Sequence, residues 1–185
     1  MTNIPLNIDE WLASFEDLCK PLDELAKTNY TIWEYEDEAR RKDVADKYIA
    51  ALKRDIDKNN QKRNDLIDTI DAIVKQDIEK RVKSIDKSTP LNSETPGSIL
   101  DRLSILALRS YNLKKELERK NVDKSHIERC ANMLNQVDAR SEDLSKCLED
   151  LIKDYYSGRK RLKSYKQHKL YNDPTLNPSL RKPRS

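Results

Sequence analysis

ADKYIAALKRDIDKNNQKRNDLIDTIDAIVKQDIEKRVKSI, residues 45–85, is the stretch that decides the fold. Ala45, Tyr48, Leu52 and Ile56, then Ile67, Ile70, Val74, Ile78 and Ile85, recur mostly at three- and four-residue steps. That spacing stacks apolar side chains on one face of an α-helix and would scatter them over both faces of a strand. No glycine or proline interrupts the run before Pro90. Thr31 and Glu34 have capping-box spacing, so the helical stretch is predicted to open there. One straight helix from Thr31 to Ile85 would span about 80 Å at ~1.5 Å per residue, long for a compact domain. A break or bend near Asn59–Asn60 is therefore expected.

The same pattern continues on both sides. Upstream, Asn7 is a good N-cap with Glu10 three residues on, and Trp11, Phe15, Leu18, Leu22 and Leu25 keep one face. Pro21 is expected to kink or interrupt that helix. Downstream, Thr95-Pro96 reads as N-cap and first helical residue of a third helix carrying Ile99, Leu103, Leu106, Leu113 and Leu117. Leu100, Ile105 and Leu108 widen its apolar surface and make it the most buried helix. Ser125 and Glu128 cap a fourth, with Ile127, Cys130, Leu134, Val137, Leu144, Leu148, Leu151 and Tyr155 along one side and Gly158 at its end. Turn signals follow at Asp173-Pro174 and Asn177-Pro178. The reading is all-α: residues 1–185 as one domain, a bundle of four to five long helices.

Composition agrees and narrows the function classes. Two glycines and seven prolines in 185 residues are too few turn formers for a many-stranded β protein. Hydrophobic residues make up 36% and charged residues 37%, which at helical spacing means amphipathic helices with broad solvated faces. No window approaches the ~18 to 20 apolar residues of a membrane helix, so no membrane partner is expected. Residues 1–10 lack the basic and apolar regions of a secretory signal. Cys19, Cys130 and Cys147 fall among helical apolar positions without a CxxC pattern, as small buried hydrophobes of a reducing cytoplasm. The basic C-terminal segment 157–185 holds nine Lys/Arg and one acid, while the rest of the chain is acidic. With Leu162, Tyr165 and Leu170 interleaved, that segment is expected to pack on the body or extend the bundle, so nucleic acid is not the expected partner.

Candidate chemistry comes from polar residues where the stripe should be apolar. Counted back from Tyr48 at ~100° per residue, Arg41, Asp37 and Glu34 fall within about 40° of the same direction. Arg63 interrupts the stripe between Ile56 and Ile67, with Asn59 near the same face. Buried charges are paired or liganded, so these positions mark either an ion-pair network or a polar pocket. The loop Asn92–Ser98 leads into a helix N-terminus, whose free N–H groups attract anions; Gly97 would allow close approach, although Glu94 and Asp101 already favour the same dipole. His126 and His168 have no carboxylate at helical ligand spacing, and no P-loop, dinucleotide or zinc pattern occurs. Glu34-x-x-Asp37 with Asp68-x-x-Asp71 superficially resembles the paired carboxylates of helical pyrophosphohydrolases. Asp68 and Asp71, however, are placed opposite the Ile67/Ile70/Val74 stripe and so in solvent.

Four separated motifs occur in order: Trp33-x-x-Glu36-Asp37-x-Ala39-Arg40, then Lys53-Arg54-x-Ile56-Asp57 with Asn60-Gln61-x-Arg63-Asn64-Asp65, then Glu94-Thr95-Pro96-Gly97-Ser98-Ile99 running into Asp101-Arg102-Leu103-Ser104-Ile105-Leu106, and Tyr171-Asn172-Asp173-Pro174 with Leu176-Asn177-Pro178. Through them the chain resembles a bacterial family of short all-helical proteins defined only as a domain of unknown function. The resemblance implies that the Asn-Asp-Pro segment belongs to the folded unit, and that Asp37, Arg63, Glu94 and Arg102 form one constellation. It assigns no activity.

The expectation is a cytoplasmic bundle with a charge-lined pocket for a small anionic ligand of phosphate or nucleotide-sugar type. Asp37, Arg40, Arg63, Asn64, Glu94, Gly97, Asp101 and Arg102 are its candidate ligand-binding residues. No cofactor is expected under that reading, and a homodimer is permitted without being required. A magnesium-dependent hydrolase using Glu34, Glu36, Asp37 and Glu94 is one alternative. A non-catalytic protein binding another macromolecule is the other.

Overall fold

The computed structural model describes residues 7–82, 85–163, 165 and 173–181. Among them five α-helices follow in order: α1 (Ile8–Ala13), α2 (Cys19–Glu38), α3 (Asp46–Arg81), α4 (Pro96–Leu117) and α5 (Lys124–Tyr156), then a 3-10 turn at Pro178–Leu180. Side-chain pairs fix their directions. Glu24 meets Lys62 and Glu36 meets Lys53, so α2 and α3 are antiparallel. Asp101 meets Arg63 and Gly97 meets Asp71, which sets α4 antiparallel to α3. Ser110 bonds to Asp138 and Glu116 to His126, so α5 runs back along α4. The result is an all-α, up-down-up-down bundle with the short α1 laid against the end of α5.

The helix boundaries correct the sequence reading in several places. Thr31 does not open a helix; it lies inside α2, its hydroxyl donating to Lys27 O. The break falls at residues 39–45, and α3 runs unbroken through Asn59 and Asn60 for 36 residues, about 54 Å at ~1.5 Å per residue. A helical count from Tyr48 back to Glu34 therefore crosses a turn, and Arg41, Asp37 and Glu34 do not continue the core stripe. Pro21 neither kinks nor breaks α2, because it sits in the first turn, where its missing N–H costs no intrahelical bond. The interruption is at residues 14–18 instead. The N-cap of α5 is Asp123, two residues before Ser125. Cys130 is buried as expected, but Cys19 and Cys147 are exposed.

Other signals hold. Asn7 Oδ1 accepts from Glu10 N–H at 2.9 Å. Thr95 and Ser98 form a reciprocal capping box with Pro96 in the first turn. Gly158 follows the end of α5 at φ +72°, a left-handed conformation that favours glycine. Asp173 accepts from the N–H and the hydroxyl of Thr175, and Asn177 caps the 3-10 turn, so both Pro turn signals are real turns. Tyr171 and Asn172 of that motif, and Lys166, His168, Lys169 and Leu170, lie outside the described residues. No helix of the described residues is long and apolar enough to cross a membrane.

The core is concentrated at one end of the bundle. Trp11, Leu18, Leu25, Ile70, Val74, Leu148 and Tyr155 are at most 1% exposed and share one apolar cluster with Ile78, Ile99 and Leu151. These positions are the start of α2, the last turns of α3 and α5, and the first turns of α4. Trp11 Nε1 donates to Tyr156 Oη, and Tyr156 Oη donates to Asp77 Oδ2, so α1 is fastened to both α5 and α3. Past this end, Arg161 pairs with Leu91 and donates to Thr89 O, while Arg159 and Lys160 bond with Asp154. The beginning of the basic segment thus lies on the body.

Candidate ligand site

Seven of the eight sequence-derived candidates fall into two places and not one. Glu94 and Gly97 sit where the first turn of α4 crosses α3. There Asp71 Oδ1 accepts the Gly97 N–H at 2.7 Å. A Cβ on Gly97 would come within 2.8 Å of Ile67 O and 2.9 Å of Asp71 Oδ1, so the backbone closeness that only glycine permits is used by α3. Asp71 is 3% exposed, contrary to its assignment to solvent; at ~100° per residue it lies only about 40° from Ile67, on the core side. Burial raises its pKa above the usual aspartate range, against the Thr95 hydroxyl and Gly97 N–H that favour its charge. The helix N-terminus proposed to receive an external anion already holds an internal one. Glu94 is likewise engaged, accepting from Ser98 Oγ and pairing with Arg102 at 3.2 Å. Arg102 and Glu94 therefore satisfy each other away from Arg63, and the four-residue constellation does not assemble.

Asp37, Arg40 and Arg63 line one hollow, and Asp101 pairs with Arg63 beside it. Asp101, 4% exposed, accepts from Asn29 Nδ2 at 3.0 Å, and the same amide donates to Ser104 Oγ. Arg63 Nε lies 3.3 Å from Asp101 Oδ1 but is buried without an aligned hydrogen bond. Its two Nη nitrogens have no hydrogen-bond partner among the described residues. A buried carboxylate therefore anchors the inner side of the guanidinium and leaves its outer edge available. Arg63 borders a hollow of about 260 Å³ lined also by Asn29, Trp33, Asp37, Arg40 and Arg109. Arg40 there is paired with Glu36, which also holds Lys53. Asn64 borders none of these hollows.

Trp33, Asp37 and Arg109 also line a larger groove of about 630 Å³ between α2, α4 and α5, floored by Leu106, Leu113, Met133 and Val137 and edged by Arg140. The two hollows adjoin at those three shared side chains. Sequence reasoning named Arg63 but not Arg109, Arg140 or Trp33 as site residues. The signal that exposed Arg63 was available for both arginines. Arg109 stands three residues after Leu106 and four before Leu113, and Arg140 stands three after Val137 and four before Leu144. Each is a cation on an apolar stripe, and neither has an acidic partner among the described residues.

His126 has a carboxylate after all, supplied across the helix hairpin: its Nε2 is 3.0 Å from Glu116 Oε2 and 3.5 Å from Cys130 Sγ. Among the described residues no three His, Cys, Asp or Glu side chains are grouped to hold a metal ion. Of the carboxylates considered for magnesium, Glu36 and Glu94 are held by cations, and Asp37 is at the other end of α3 from Glu94.

No curated protein and no solved structure matches the chain. One family model does, across residues 20–164, from the start of α2 to the segment that follows α5. That span holds both hollows and every candidate residue, so the chain belongs to the family described as protein of unknown function, DUF4254.

Proposed function

We propose that this protein binds a small anionic ligand, of phosphate or nucleotide-sugar type, in the hollow bordered by Trp33, Arg63 and Arg109. One observation carries the reading: the Arg63 guanidinium is ion-paired from behind by buried Asp101, while its Nη nitrogens make no hydrogen bond to a described residue. Holding an arginine this way removes rotamer freedom before a ligand arrives, which lowers the cost of forming a two-pronged bond to phosphate or carboxylate. Arg109 adds a further cation to the lining. Trp33 offers a flat apolar face, and Asp37 an acceptor for a ligand hydroxyl. A cytoplasmic, binding role fits a lining that supplies cations and a carboxylate, with no grouped metal ligands among the described residues.

The test is calorimetric titration with inorganic phosphate, a nucleoside diphosphate sugar and a short alkyl phosphate. At least one is expected to bind, and Arg63→Ala is expected to abolish that binding while the helical circular dichroism persists. Because Arg63→Ala leaves Asp101 buried beside a lost partner, Arg109→Glu, on an exposed side chain, supplies a second variant with the same expected loss. Binding unaltered in both variants, or no binding of any of the three compounds, would overturn the assignment.

A further inference from the structure

The two adjoining hollows differ in character. Around Arg63 the walls are charged and amide-bearing; beyond Trp33 the floor is Leu106, Leu113, Met133 and Val137. A fully hydrated anion gains nothing from that floor, since covering apolar side chains with a polar group forfeits its water contacts. An apolar molecule without charge leaves Arg63 and Arg109 unanswered. One molecule that satisfies both regions carries an anionic head and a hydrocarbon tail. We infer that the ligand is an amphiphilic anion, its head on Arg63 and Arg109 and its alkyl portion lying past Trp33 along α4 and α5. The inference rests on the anionic site proposed above and specifies what is attached to the anion.

Charge placement sets the orientation. Arg63 borders only the small hollow and Arg109 borders both, so the head lies where both cations are within reach, while the apolar floor of Leu106, Leu113, Met133 and Val137 belongs to the larger groove alone. Size sets the class of occupant. The groove, about 630 Å³, lies within the roughly 300–1,000 Å³ range of small-molecule sites. A docked protein would need about 800 Å² from each partner, far more than this cleft presents. Leu106 to Leu113 is two helical turns, about 11 Å, so the tail is short to medium in length.

The experiment is titration of the full-length protein with methyl, butyl, hexyl and octyl phosphate below their aggregation limits. Affinity is expected to rise about three- to fourfold for each added methylene until the tail fills the groove. Met133→Glu, at a residue already 53% exposed, should flatten that rise, bringing the ratio of octyl to methyl phosphate affinity close to one. Arg109→Glu should abolish binding of every member of the series. Equal affinities for all chain lengths, lost in Arg109→Glu, would overturn the amphiphile and leave the anion site standing. A chain-length rise indifferent to both Arg63→Ala and Arg109→Glu would overturn the anion site and this inference together. A concentration-dependent dimer dissociated by Met133→Glu, with no alkyl phosphate bound, would assign the groove to a second copy and overturn the amphiphile.

Discussion

The two tryptophans mark two ends of one bundle built on opposite terms. Trp11 is fully buried, edge-on to Phe15 at 5.3 Å between centroids, with its indole N–H bonded to Tyr156. Trp33 is only partly buried and lines both hollows. Around Trp11 the four long helices bury nearly all the large apolar side chains. Around Trp33 the buried residues thin to Leu52, Ile56, Leu106 and Cys130, outside the main cluster, and Tyr48, Tyr111 and Met133 are 44%, 51% and 53% exposed. Between the ends lies a polar belt of Asn29, Arg63 and Asp101. The closed end carries stability, which frees the open end to present cations and unfilled apolar surface.

The largest contrast is expected from truncating each tryptophan. Trp11→Ala removes a side chain from the closed core and should cost about 3–5 kcal/mol in denaturant unfolding. Trp33→Ala should cost under about 1.5 kcal/mol, because its site is already open. Equal losses would break the division between the ends. Gly97→Ala tests the closest helix contact. Its methyl would meet backbone and a short buried carboxylate, and a loss of about 1–3 kcal/mol is expected from the same unfolding curves. Tyr156→Phe removes the hydroxyl joining Trp11, Asp77 and α5, and should lower stability by about 1–2 kcal/mol without affecting any ligand titration at the open end.

The smallest effect is one of slope. Burial lifts the Asp71 pKa above its ordinary value of 3.8. The folded protein therefore keeps that proton to higher pH than the unfolded chain does. The resulting contribution is greatest at low pH and declines as pH rises from about the ordinary aspartate value through the raised native one. Asp71→Asn, which keeps an acceptor for the Gly97 N–H, removes this decline. Its stability relative to the parent should increase with pH across that window, measured as unfolding midpoints at a series of pH values. A difference that shrinks with pH would contradict the burial argument.

Much of the closed end was legible in the sequence, because there local signals and tertiary packing agree. The Ile67–Ile78 stripe, the Asn7 and Thr95 caps and the Gly158 stop all read correctly from spacing alone, and the Trp11–Leu25 stripe named core residues although its helix breaks at residues 14–18. The α2–α3 turn was not legible. Residues 39–45 contain neither glycine nor proline, so nothing local announces a break that only the antiparallel return of α3 onto α2 requires. That missed turn carried a phase error into the site, turning Asp37 and Arg41 toward a core they do not face. Asp71 was lost to a misplaced face, and with it the reason Gly97 is a glycine. Arg63 was legible because a cation interrupting a buried apolar stripe stands out against its neighbours. The identity of that partner, Asp101 on another helix, is long-range information that periodicity does not contain.

The most direct test of the account uses the two indole N–H resonances in a nitrogen-correlated NMR spectrum during titration with hexyl phosphate. The Trp33 signal should shift progressively to saturation while the Trp11 signal stays in place, and neither should move in Arg109→Glu. Matching shifts of both indoles, or a Trp33 signal unmoved at saturating ligand, would contradict a ligand site at the open end.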